Sequence, residues 1–372
     1  MERGVSMRRV IGSTAGGLLF VMLMSAAASA DSPLVVDGAI VTWGWNEYGQ
    51  CDVPAPNTSF MAVAGGWYHG LGLKSDRSIV AWGSNEDGQC DVPEPNSDFA
   101  AVARGGWHSL GLRIDGSIVA WGADYHEQCE VPAPNSGFVA VAGGGWHSLG
   151  LKADGSIVTW GCTGDGLRDV PPPNTDFIAV TAGTNHSLGL KSYGAIVAWG
   201  YNNNGECDVP EPNADFIAVT AGVAHNLGLK SDGSIVAWGW NDYGQCDVPS
   251  PNADFVDIAA GYGHSLGLKT DGSITAWGWN EYGQCDVPEP NLENIAVAAG
   301  VHHSLGLNAI TPVPGDLDGD GDVDLSDLAD LLGRYGACVG EPAYDANADF
   351  DDSGCIDLSD LAYLLAYYGT GT

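Results

Sequence analysis

Twelve residues near the C-terminus, Asp316 to Asp327, carry an unusual density of hard oxygen ligands. Carboxylates stand at loop positions 1, 3, 5, 9 and 12 (Asp316, Asp318, Asp320, Asp324 and Asp327), with Gly321 at position 6 and Asp322 at position 7. Calcium requires this spacing: carboxylates around the ion, a backbone carbonyl from position 7 and a glycine for the sharp turn. The same frame recurs 33 residues later at Asp349, Asp351, Ser353, Gly354, Cys355, Asp357 and Asp360. Two in-register copies predict two bound calcium ions rather than a merely acidic, solvated tail.

Each loop runs straight into an apolar pattern of helical spacing. The first is Leu325, Leu328, Leu331, Leu332 and Tyr335; the second is Leu358, Leu361, Leu364, Leu365 and Tyr368. Position 12 is Asp rather than Glu, and the Pro-containing segment 309–315 replaces an incoming helix before the first loop. A duplicated loop–helix of this kind resembles the type I dockerin family over residues 315–369. The resemblance implies docking onto a cohesin module of a scaffold or cell-surface protein. Loop positions 10 and 11, here Leu325-Ser326 and Leu358-Ser359, would contribute to recognition. Cys338 and Cys355 are then candidates for one disulfide of this small unit, and bound metal would supply much of its folding energy.

No other stretch offers a catalytic constellation. His-Ser pairs recur through the chain, but a catalytic group is needed once, so repetition points to structural hydrogen bonding. His126 and His302 stand outside that series without an evident metal partner. No phosphate loop, zinc spacing or nucleophile elbow occurs, and no carboxylate pair singles out a glycosidase. A non-enzyme is expected.

What positions everything else is a repeat. Trp43, Trp82, Trp121, Trp160, Trp199, Trp238 and Trp277 recur every 39 residues, each before a Gly, and His69 to His303 march at the same period. The unit holds short β-branched and aromatic runs between Gly, Asn, Asp and Pro, with no helical periodicity. Ser234–Trp238 and Leu227–Leu229 read as strands joined by a tight turn at Ser231-Asp232-Gly233. Phe216–Val219 is a further strand, entered from Pro210-Glu211-Pro212. About four short strands per unit predict an all-β, seven-bladed β-propeller followed by a small all-α calcium-binding module. The array begins with a strand at Asp37–Trp43 and ends with a strand at His303–Leu307, so the two ends are expected to complete one blade and leave no open edge.

The motif Trp-Gly-x-Asn-x-x-Gly-Gln (43–50, 82–89, 238–245, 277–284) resembles the regulator of chromosome condensation repeat family. So does Ala182–Leu190. Gly-Gln-x-x-Val-Pro and Ala-x-Ala-Gly are similar to the secreted β-lactamase inhibitor propellers of that family. The resemblance covers 34–307 and implies a propeller with a protein-binding face. Cys stands where the family often has Leu, and the fourth repeat departs at 161–168.

The N-terminus reads as a secretory leader over 1–30. Arg3, Arg8 and Arg9 precede an apolar run at 17–24 and an Ala28-Ser29-Ala30 cleavage site. The run is too short to span a bilayer. Domains are therefore expected at 1–30 (leader), 31–308 (propeller), 309–315 (linker) and 316–372 (calcium module). The formal charge of −34 becomes −36 without the leader's three Arg and one Glu. Such a chain repels phosphate backbones, which excludes nucleic acid as a partner. Of nine cysteines, six occupy one repeat position (Cys51, Cys90, Cys129, Cys207, Cys246, Cys285). Neighbouring blades would hold these roughly 10–17 Å apart, against the Cα separation of under about 7 Å that a disulfide needs. They are expected to be buried free thiols.

Function is expected where repeats differ. After Trp-Gly stand Trp45, Ser84, Ala123, Cys162, Tyr201, Trp240 and Trp279; Tyr48, Tyr243 and Tyr282 share a second variable position. Ring closure makes the blades of Trp240, Trp279 and Trp45 consecutive. A second aromatic set (Trp67, Tyr68, Trp107, Trp146) precedes the repeat histidines. Either these rings pack between blades or they form an exposed arc of the type found at binding hot spots. The sequence thus predicts an extracellular, monomeric binding protein with a protein ligand on the propeller. The alternative is a carbohydrate-binding or polysaccharide-degrading component, suggested by the company dockerins keep.

Overall fold

The computed structural model describes residues 38–309, 315–317, 323–351 and 353–369. The leader, most of the linker, and Asp318, Asp320 and Asp322 lie outside the described residues.

Each repeat folds into three antiparallel strands, for example Phe216–Ala221, His225–Lys230 and Ile235–Gly239. The second and third are joined by the turn at Ser231-Asp232-Gly233, where Gly233 has φ +81° and Asp232 accepts from Ser234 N at 2.9 Å. The fourth strand expected per unit does not form. Its residues make a polar turn instead: Asn241 Oδ1 takes the Cys246 amide at 2.7 Å, and the prolines that follow have no amide to give a ladder.

The core lies between blades. Leu188, Leu190 and Ile196 of one repeat pack with Phe216, Val219 and Trp238 of the next. Side chains of this size contribute about 1.5–3 kcal/mol each when buried. Gly228 lets the Phe216 ring lie flat on the strand, because a Cβ there would meet it at 2.5 Å. Each repeat tryptophan also reaches back one blade: Trp82 Nε1 donates to Gln50 O and Trp238 Nε1 to Glu206 O, at 2.9 and 3.0 Å.

The two ends of the array share one sheet. The strand Gly38–Gly44 is bonded to His303–Ala309, and it also bridges to Phe60–Gly65 to give one six-stranded sheet order. Trp43 Nε1 donates to Gln284 O at 2.9 Å, the bond Trp82 makes to Gln50, now across 241 residues.

The C-terminal residues from Ala309 cluster apart from the main body of the repeats. They hold α1 (Leu325–Arg334) and α2 (Leu358–Tyr367) around Val323, Leu331, Ala348, Ile356 and Leu364. Each helix starts with a capping box, Asp324 with Asp327 and Asp357 with Asp360. Gly336 and Gly369, with φ +87° and +76°, follow their ends. The apolar stripes expected on these helices are only partly inward: Leu331 and Leu364 are buried, whereas Leu325, Leu332, Tyr335, Leu358, Leu365 and Tyr368 face solvent. Among the described residues, no helix is long and apolar enough to cross a membrane.

Candidate functional site

The loops that follow the Trp-Gly strands and those that precede the repeat histidines carry one connected set of aromatic rings. Trp240 contacts Tyr243 and Tyr262, and both reach Trp279, at centroid distances of 5.1 to 5.8 Å. Trp279 meets Tyr282 and His302, and His302 meets Trp45 at 5.6 Å. From Trp45 the contacts pass to Tyr48 and Tyr68, then Trp107, Trp67 and Trp146, and end on His126. The two aromatic sets of the sequence are therefore one arc. The rings are neither core nor free: Tyr48, Tyr243 and Tyr282 are 44–46% exposed and the tryptophans are half-buried. Most contacts are edge-to-face, the arrangement favoured by ring quadrupoles.

His302 joins the halves of the arc. Burial holds its imidazole at about 4, so it stands neutral among rings rather than repelling them as a cation. Tyr262, the other link, was not singled out from the sequence. Its signal was available: it occupies the same repeat position as Trp67. The position of Trp45, Trp240 and Trp279 is held by the small, buried Ser84 and Ala123 in two other repeats.

The repeat histidines are structural. His69 Nε2 meets Ser109 Oγ of the next blade at 3.0 Å, and Ser109 Oγ donates to Gln89 O. The bond recurs down the array, with Asn226 replacing Ser once. It fails at His303, whose partner position is Gly70; neither ring nitrogen of His303 is bonded. The six repeat cysteines are free but only half-buried, short of the burial expected. Their Sγ atoms lie against the carbonyl six residues back, as Cys90 against Ser84 O at 3.2 Å. Burial pushes these thiols up to about 11 or 12, which leaves them poor nucleophiles.

In the C-terminal unit, ligand atoms of Asp349, Asp351 and Asp360 lie within 4.8 Å of one another. Backbone amides orient them: Asp360 accepts from Phe350 N and Asp357 N at 2.6 and 2.8 Å. Burial pushes the Asp349 carboxyl up, but bonds from Tyr344 Oη, Gly354 N and Ser353 N outweigh it and hold it below the usual range. In the first loop Asp327 accepts from Leu317 N and Asp324 N at 2.6 and 2.8 Å. Asp316 and Asp324 are described beside it; Asp318, Asp320 and Asp322 lie outside the described residues. Ser353 Oγ donates to the Cys355 carbonyl at 3.0 Å. Cys338 and Cys355 are disulfide-bonded. Leu325 and Leu358 are 70% and 68% exposed at the matching first turns of α1 and α2, each followed by its serine.

Residues 62–89, 177–206, 216–245 and 255–284 match the family model of the regulator of chromosome condensation (RCC1) repeat. Those four segments are similar to RCC1 repeats. Among solved structures, Prp20p of Saccharomyces cerevisiae, described with its binding to Gsp1p and histones, is 18% identical with a TM-score of 0.63. The match covers 75% of this chain and 93% of that one. Human WBSCR16 is 17% identical, TM-score 0.59, with 73% and 98% covered. The ectodomain of the Physcomitrella patens receptor kinase CR4 is 25% identical, TM-score 0.54, with 63% and 65% covered. The likeness to Prp20p and WBSCR16 is one of fold: an RCC1-like propeller. No curated protein matches the chain.

Proposed function

We propose that this chain is an exported, non-catalytic binding protein that holds a protein partner on the aromatic arc of its RCC1 repeats. The observation that carries the reading is the continuity of the arc. Half-exposed Trp and Tyr rings run unbroken from Trp240 to Trp146, joined through His302. Large rigid rings at a half-exposed surface are the residue type that dominates binding energy at protein interfaces. Structural relatives of this fold include Prp20p, a protein described as binding Gsp1p and histones.

The C-terminal unit, on the same proposal, folds around two calcium ions and docks onto a cohesin-type module. Supporting this are the carboxylate cluster of the second loop, the matching hydrogen bonds to Asp327 and Asp360, and the paired exposure of Leu325 and Leu358. Asp316, Asp318, Asp320, Asp322, Asp324 and Asp327 would hold one ion, with Asp322 acting through its carbonyl. Asp349, Asp351, Ser353, the Cys355 carbonyl, Asp357 and Asp360 would hold the other.

The test is a pull-down from native culture medium with the full chain, with and without chelator. Capture of a cohesin-bearing protein only when calcium is present supports the docking role. A second protein retained in chelator is the partner expected for the arc. Binding on a glycan microarray, with no protein captured, would instead favour the carbohydrate role.

A further inference from the structure

The inner strands of the seven blades end at equivalent residues: Gly65, Arg104, Gly143, Ala182, Ala221, Ala260 and Ala299. Six are Gly or Ala and one is Arg. Arg104 Nη2 donates to Ala260 O at 3.5 Å, across 156 residues, which is four repeat lengths. In a ring of seven, four blades forward is three blades back, so the side chain crosses the central channel. The residues two further along, among them Trp67, Gly106, Thr184, Val223 and Tyr262, are linked blade to blade by backbone hydrogen bonds and form the rim. Arg104 thus crosses the channel just below a rim that carries rings of the aromatic arc.

The ion pairs of Arg334 with Asp330 and Asp345 lie in the C-terminal residues and do not involve Arg104. The other strand-borne Lys and Arg side chains of the repeats lie over phenylalanine rings at the far ends of their strands. A guanidinium has five N–H donors in a planar fork, and here a single long bond to a carbonyl uses one of them. Burial lowers Arg104 to about 10, so it stays charged at neutral pH. After burial, its charge also lowers the buried His69 and His303, the repeat histidines of the first and last blades. His303 has both ring nitrogens unbonded. A cation with spare donors, walled by low-dielectric strands, attracts an anion locally even though the chain as a whole is acidic. The fork matches a carboxylate bidentately, and the Trp67 and Tyr262 rings favour an anion with an apolar body over strongly hydrated phosphate.

We propose that the channel mouth is a binding site for one carboxylate with a small apolar body, gripped by Arg104. The site stands whether or not the arc binds a protein. The test is calorimetric titration of the full chain with sodium benzoate, sodium acetate and inorganic phosphate at matched ionic strength. The expected result is saturable one-to-one benzoate binding in the millimolar range, with acetate weaker and phosphate weaker still. Arg104→Gln should weaken benzoate about tenfold or more, as loss of a charge-assisted pair does. Should that variant fail to fold, Arg104→Lys keeps the charge without the fork and should bind benzoate several-fold more weakly than the wild type. No saturable benzoate binding, equal binding by the variant that folds, or phosphate binding as tightly as benzoate would each overturn the proposal.

Discussion

Six blades pair a phenylalanine at the start of the inner strand with a Lys or Arg over its ring, as Lys152 over Phe138 at 3.4 Å and Lys191 over Phe177 at 3.5 Å. The last blade carries Asn294 and Asn308 at these positions. Gly306 keeps the bare strand surface on which a ring would lie; a Cβ there would meet Asn294 Oδ1 at 2.7 Å, then Ile274 and Trp43 at 3.2 and 3.7 Å. A cavity of about 50 Å³ results, lined by Trp43, Ile274, Val287, Asn294 and Asn308, and the buried Asn308 Oδ1 has no partner. Replacing Asn294→Phe with Asn308→Lys should fill it. At roughly 24 cal/mol per Å³ the volume is worth about 1 kcal/mol, and the cation over the ring adds about 0.5–1 kcal/mol. Against this, Asn294 Nδ2 gives up a 2.9 Å bond to Gly272 O, which still accepts Asn294 N at 3.1 Å. The lost bond costs about 1 kcal/mol. A net gain of about 1 kcal/mol predicts a melting temperature about 2 °C higher by calorimetry of the full chain. Destabilisation by the double substitution would refute the claim that the last blade merely lacks this ring.

Three further outcomes follow from the structure. Burial lowers His69, His108, His147, His225, His264 and His303 to about 3, so they fold neutral. The unfolded chain takes up their protons below about pH 6.5, so stability is full above that value and falls by about 1.4 kcal/mol per histidine per pH unit as pH drops toward 3. Acid melts should show steep loss below pH 6; a flat profile to pH 4 would contradict it. Deleting 38–43 strips the strand paired with His303–Ala309, and light scattering should then report aggregation from the bared edge. Titrating calcium into the full chain should raise helical circular dichroism in two steps, with Asp349→Ala abolishing one of them while the other stays.

The propeller was legible because its signal is repeated. One blade's Phe-x-Ala-Val, His-Ser-Leu-Gly-Leu and Trp-Gly runs are ambiguous, whereas seven copies at one period admit few folds. The expected fourth strand was misread because the Cys-Asp-Val-Pro segment looks extended, yet Asn241 captures the Cys246 amide and proline removes the next donor. The arc was legible in halves. Trp45, Trp240 and Trp279 announced themselves by variation, but joining them to Trp67 and Trp107 needed Tyr262 and His302, whose proximity is a fact of ring geometry rather than spacing. Arg104 was passed over because a single basic residue on a strand has no sequence signature; only the fold shows that its strand end borders the channel.

The claim that the arc binds a partner is tested most directly by the Trp240→Ala, Trp279→Ala double variant. Both melting temperature and capture of the partner retained by the wild type are measured. The two rings are half-buried in surface loops, and truncating a hot-spot ring costs about 2 kcal/mol or more of binding. The account predicts at least a thirtyfold loss of capture, about what that energy amounts to, with the melting temperature little changed. A large fall in melting temperature with capture intact would mean that the tryptophans serve the fold, and would contradict the account.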